Sequence, residues 1–141
     1  WMRSSVSLGF GRLVGKDDKG VFEVIVVADA EHAAVEDLLV KTLFAIAEHS
    51  IPIEEGISVG GLHRVAPEFV KKTGKSAFYF TYPTFLPDKF GTIGDNARIL
   101  WAFPISASEH EYAKAHGDAA FEDLLEEREV DPMEILRSSA V

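Results

Sequence analysis

The segment Arg98–Phe103 (RILWAF) runs on through Pro104 and Ile105 into polar SASEHE. A stretch this apolar has no side to offer to water, so it reads as a strand covered on both faces. Two further segments share its make-up: Phe22–Ala28 (FEVIVVA) and Ser76–Tyr82 (SAFYFTY), rich in β-branched and aromatic residues. Together they predict one central sheet containing Val24–Val27, Phe78–Phe80 and Ile99–Phe103.

The remaining pattern supplies the layers around that sheet. Ser4–Leu13 alternates Val6, Leu8 and Phe10 with small or polar residues, as a strand would, and Lys16–Gly20 (KDDKG) reads as the turn after it. From Glu31 to His49, Val35, Leu38, Leu39, Leu43 and Ile46 recur at helical spacing, with Asp29 placed to cap and Pro52 beyond the end. Ile53–Gly74 is ambiguous and holds a short strand, and Pro83–Asn96 is a loop. Ser106 and Glu109 form a capping box for a helix that stops near Gly117. Asp118 starts another, with Phe121, Leu124 and Leu125 inward and Glu122, Glu126 and Glu129 toward water. Asp131-Pro132-Met133-Glu134 carries helix-start signals again. Early strands joined by a hairpin-like turn do not suit a purely parallel sheet. The expected fold class is α/β of the α+β type: a mixed, largely antiparallel central sheet with helices packed on it, in a single domain over residues 1–141.

Composition narrows the function classes. The 141 residues contain no cysteine, which excludes disulfides and thiolate metal sites. No apolar run is long enough to cross a bilayer and no secretory leader is visible, so a cytoplasmic location is expected. The chain begins Trp1-Met2, which leaves its N-terminal boundary open. Net charge is −9 and uneven: residues 1–104 hold 13 acids and 11 bases, residues 105–141 hold 10 acids and 3 bases. An excess of acid argues against nucleic-acid binding and suits either solubility or a basic partner.

Several motifs imitate catalytic ones. Gly56-Ile57-Ser58-Val59-Gly60 matches the nucleophile elbow G-x-S-x-G, but no strand is evident before it and Gly61–Arg64 shows no helical pattern after it. Ser58 is therefore not expected to act as a nucleophile. Gly74-Lys75-Ser76 lacks both the first glycine and the helix of a phosphate loop, and reads as a turn entering a strand. His110-Glu111 lacks the second histidine of H-E-x-x-H, since position 114 is Lys114, and reads as part of a surface helix. Neither metal nor cofactor is expected.

The order LWAFPISASEHEYAKAHG, FEDLL, VDPMEILRSSAV resembles the C-terminal half of a suppressor-of-fused-like domain. The residues carrying the resemblance are Trp101, Pro104, Ile105, Glu109, Gly117, Leu124, Leu125, Asp131, Arg137 and Ser139. Upstream, VSLGFGRL, FEVIVV, DLLVKTLFAIAEH and SAFYFTYPTFLPDKF resemble the family's preceding elements. Such domains carry a further segment before the VSLGFGRL strand, and this chain is expected to lack it. The resemblance implies a protein-binding domain and no enzyme. Its bacterial members resemble immunity proteins that neutralise a partner toxin, and its eukaryotic members capture a peptide as an added strand. The partner expected here is a protein, a basic toxin domain, and neither nucleic acid nor membrane. Glu122, Asp123, Glu126, Glu127 and Glu129 are the candidate partner-binding residues, and a serine hydrolase using Ser58 is the remaining alternative.

Overall fold

The computed structural model describes residues 2–13, 21–29, 34–87, 90, 92–93 and 97–141. Among these residues one mixed sheet runs in the order β1 (Met2–Val6), β2 (Val21–Asp29), β6 (Ala97–Ser106), β4 (Lys75–Thr81), β3 (Ile57–Gly60), with the short β5 (Thr92–Ile93) beside β6. Only β2 and β6 pair in parallel; the other pairs are antiparallel. The three apolar segments are therefore the three inner strands of one sheet, as their composition requires.

Period-two alternation splits the core into two layers. Val24, Val26, Phe78, Phe80, Leu100 and Ala102 face α2 (Ala34–Glu48), α3 (Leu62–Val65) and α4 (Pro67–Thr73). Ile25, Val27, Tyr79, Trp101, Phe103 and Ile105 face α5 (Ala107–His116) and α6 (Asp118–Glu127). Trp101 is 6% exposed, packed between Phe85 and Phe103. α2 occupies the expected helix, with Val35, Leu38, Leu39, Leu43 and Ile46 buried; positions 30–33 lie outside the described residues.

Four expectations are corrected. The first strand ends at Val6, not Leu13, and Phe10–Leu13 forms a helical turn, α1. The cause is Glu23: its carboxylate accepts from the Ser7 hydroxyl (2.6 Å) and the amides of Gly9 (2.8 Å) and Phe10 (3.3 Å), which turns the chain off the sheet. The KDDKG turn lies outside the described residues. Second, Gly61–Arg64 is not without helix, since α3 begins at Leu62. Third, β6 does not stop at Phe103 but continues through Pro104 to Ser106. Pro104 lies opposite Phe78 of β4, while the pairing with β2 has already ended at Trp101. That side of β6 is then an edge, where a missing N–H costs no ladder bond.

Fourth, Asp131–Glu134 starts no helix. The Asp131 carboxylate accepts the Met133 amide (2.9 Å), and the Met133 carbonyl accepts the Asp29 amide (3.2 Å). These bonds commit the segment to a strap across the end of the sheet. It places Ile135 in one core layer and Ala140 in the other.

Candidate functional site

α5 and α6 stand on one face of the sheet, and their charged residues fall into two groups. The first is buried. Ser106 caps α5 in a complete capping box: its hydroxyl accepts from the Glu109 amide, and the Glu109 carboxylate accepts from the Ser106 amide. That carboxylate does more than cap. It receives both terminal nitrogens of Arg137, at 2.5 and 3.3 Å, and the Ala140 amide at 2.9 Å. Glu109 is wholly buried and Arg137 nearly so. Burial alone would raise the Glu109 pKa, but Arg137 and the amides of Ala140 and Ser106 outweigh it and hold the pKa below the usual carboxylate value. Lys75, also buried, donates from Nζ to the Arg137 carbonyl at 3.0 Å. Its pKa is lowered by burial and by Arg137, against the pull of Glu109.

This cluster closes the C-terminal strap onto the fold. It joins residues that the sequence reading named separately, Glu109 and Arg137, with Lys75, which the sequence placed only in the turn Gly74-Lys75-Ser76. The only signal for Lys75 was a cation opening an otherwise apolar strand.

The second group is exposed. Phe121 and Leu125 of α6 are buried and Leu124 is half-buried, which turns Glu122, Asp123, Glu126, Glu127 and Glu129 outward. Glu122 differs from the others. Its carboxylate accepts from the Tyr79 hydroxyl (3.0 Å) and the Thr81 hydroxyl (2.8 Å), so it ties the helix to β4. Burial, and then the charge of Glu122, push the Tyr79 pKa up, so its hydroxyl stays a donor. Asp123, Glu126, Glu127 and Glu129 form no salt bridge among the described residues.

α6 ends in a Schellman turn: the Glu129 amide donates to the Glu126 carbonyl and the Val130 amide to the Leu125 carbonyl. This puts Glu129 at φ +52°, in the left-handed region where glycine is usual. Beyond the turn, Glu129, Asp131 and Glu134 line a shallow cleft of about 300 Å³ together with Arg128, Arg137 and Ser138. The acidic surface of α6 thus continues into a concavity.

The remaining motif residues are architectural. Trp101 and Ile105 fill the layer beneath α5 and α6, and Pro104 is buried within β6. Gly117 joins the two helices at φ +87°, ψ 172°, a conformation open to glycine.

Ser58 and His110, which the sequence reading kept apart, are in contact. Ser58 Oγ lies 2.8 Å from His110 Nδ1, joining β3 to α5. His110 is thus not an incidental surface histidine. Burial, then Lys114, lower its pKa against the pull of Glu111, which favours the neutral ring. The ring sits against Gly60, where an added Cβ would lie 3.0 Å from Nε2. A strand does hold Ser58 and a helix does follow, but Ser58 sits mid-strand in β3 at the sheet margin, not on the turn between them.

Comparison with known proteins points to one family. The family model for suppressor of fused protein (SUFU) matches residues 2–138. A crystal structure described as a SUFU (suppressor of fused protein) homolog from Neisseria gonorrhoeae FA 1090 has the same fold, with a TM-score of 0.77 at 21% identity. The match covers 98% of this chain and 70% of that chain. Among curated proteins no significant match was found.

Proposed function

The chain belongs to the suppressor of fused protein family, and from that premise we propose that it is a non-catalytic binding protein of the immunity type, which neutralises a basic toxin domain by covering it. The observation that carries this reading is the set of outward carboxylates on α6, Asp123, Glu126 and Glu127, leading through Glu129 of the turn after it into the cleft with Asp131 and Glu134. Such a field attracts a Lys/Arg-rich surface and raises the encounter rate. A toxin that attacks nucleic acid carries that kind of surface, because its substrate demands it.

The test is association kinetics with the product of the neighbouring gene at two salt concentrations. Screening shortens to about 8–10 Å at physiological ionic strength, so the on-rate is expected to fall steeply as salt rises. Reversing Asp123, Glu126 and Glu127 to Lys should slow association and leave the thermal melt within about 0.5 kcal/mol of the parent. An on-rate indifferent to both changes assigns α6 to solvation alone and moves the contact elsewhere.

A second reading, capture of an extended peptide as an added strand, is favoured by one observation: among the described residues β1 lies at a margin of the sheet, with Met2 and Val6 exposed at its two ends. Ester turnover abolished by Ser58→Ala would replace both readings with an enzyme.

A further inference from the structure

β3 and α5 are tied together by one histidine. His110 sits in the first half of α5, half-buried, and its Nδ1 lies 2.8 Å from Ser58 Oγ in the middle of β3. Among the described residues this is the only hydrogen bond between the two elements. The ring lies down on Gly60, where a Cβ would come within 3.0 Å of Nε2 and 3.4 Å of the adjoining ring carbon. The bare backbone at position 60 is what makes room for it.

Such a seat discriminates between the two forms of imidazole. The neutral ring has one donor and one acceptor nitrogen, and the Ser58 hydroxyl, which both donates and accepts, serves either tautomer. The protonated ring carries two donors and a full charge. Its Nδ1–H still finds Ser58 Oγ, but Nε2–H lies over Gly60 and has no acceptor among the described residues. Burial also strips part of the water that a charge needs. The charges that bear on the ring both stand on its own helix: Lys114 disfavours the protonated form, and Glu111 favours it less strongly. β3 faces the ring with Ser58 and Gly60. Opposite Ser58 on β4, Tyr79 commits its hydroxyl to Glu122 of α6. Among the described residues no charge on β3, β4, α3 or α6 bears on the ring.

We infer that His110 is an acid-sensitive latch between α5 and β3: the neutral ring closes on Ser58 and Gly60, and the protonated ring leaves that seat for water. The latch stands in the first of the two helices joined at Gly117, and the second, α6, carries the exposed carboxylates. Acid therefore loosens the mount of that surface together with the end of the sheet. The pKa of His110 is lower in the folded chain than the unfolded value of about 6.5, so the latch is fully effective above that value and is lost as pH falls through the folded pKa. Carboxylates titrate near about 4, below this window.

The experiment follows amide hydrogen exchange by NMR in the full chain between about pH 7.5 and about pH 5.5, each rate corrected for its intrinsic pH dependence, alongside the titration of the His110 ring. Protection of the β3 amides, measured against those of α2 on the opposite face of the sheet, should fall by up to about tenfold, the ceiling that an unfolded value of about 6.5 sets over this range. Ser58→Ala removes the partner of the ring and should bring β3 protection at neutral pH close to the acid level. His110→Gln cannot take up a proton and should abolish the pH dependence. If either variant is unfolded, the titration and exchange of the parent chain decide the matter. A His110 pKa at or above about 6.5, β3 protection that is flat with pH or falls equally with that of α2, or a pH dependence that survives His110→Gln overturns the inference. No partner enters this test, so its failure leaves the α6 reading standing.

Discussion

Glu109 and Glu126 are the same residue type on consecutive helices of the same acidic segment, yet their surroundings give them opposite work. Glu109 is wholly buried and accepts four hydrogen bonds, two of them from Arg137. Glu126 is exposed and has no partner among the described residues. A buried carboxylate must be paired, because an uncompensated charge away from water costs several kcal/mol. An exposed one is nearly neutral for stability and free to act at long range. Net charge alone therefore says little about this segment; accessibility decides which acids hold the fold and which project a field.

The comparison is tested hardest by removing one partner of the buried pair. Glu109→Ala leaves Arg137 and Lys75 buried without a counter-charge, and should destabilise the fold by about 3–5 kcal/mol in denaturant unfolding. Glu126→Ala should fall within about 0.5 kcal/mol of the parent. Acid titration gives the same contrast. The Glu109 pKa is lower in the folded chain than in the unfolded one, so its contribution is complete above the unfolded carboxylate value of about 4.3 and is lost as pH falls through the folded pKa. Unfolding free energy should therefore decline below that pH in the parent, and decline less in Glu109→Gln. Equal slopes would show that the pair is not the acid-sensitive element.

This buried group also marks where the sequence stops being legible. The capping box at Ser106 and Glu109 is local, and local spacing revealed it. So did the apolar make-up of β2, β4 and β6, the period of α2 and the glycine stop at Gly117. The Glu109–Arg137 bridge spans 28 positions and the Ser58–His110 contact spans 52, and no periodicity encodes either. The misread boundaries have the same origin. β1 ends at Val6 because Glu23, from the next strand, bonds Ser7, Gly9 and Phe10. Asp131–Glu134 fails as a helix because Asp29, at the end of β2, takes the Met133 carbonyl. In each case a distant partner overrode a local signal. The acidic face of α6 was legible as a helix with polar residues outward, but the bonds that withdraw Glu122 from it were not.

Glu122 offers the next, smaller test, because it sits one turn before Glu126 on the same helix. Glu122→Ala removes the acceptor of the Tyr79 and Thr81 hydroxyls, and Tyr79 is itself buried. The expected loss is about 1–2 kcal/mol. Tyr79→Phe with Glu122→Ala should cost less than the sum of the two single changes, since both delete the same bond. Additive losses would mean that Glu122 belongs with the free carboxylates after all.

A smaller effect than that of Glu122 runs in the opposite direction. Glu129 holds the left-handed position of the Schellman turn, where a side chain beyond glycine is strained. Glu129→Gly relieves that strain and keeps both turn hydrogen bonds, so stability should rise by about 0.5–1 kcal/mol. The same change removes one carboxylate from the lip of the acidic cleft. If that surface only keeps the chain soluble, the variant gains stability and loses nothing else. If it steers a basic partner, Glu129→Gly should associate more slowly and show a weaker salt dependence, while Glu129→Asp keeps both rate and salt dependence near those of the parent. Stability measured by denaturant and on-rate measured by stopped flow then move in opposite directions for a single residue. A variant that gains stability with an unchanged on-rate separates Glu129 from the binding face and leaves Asp123, Glu126 and Glu127 to carry it.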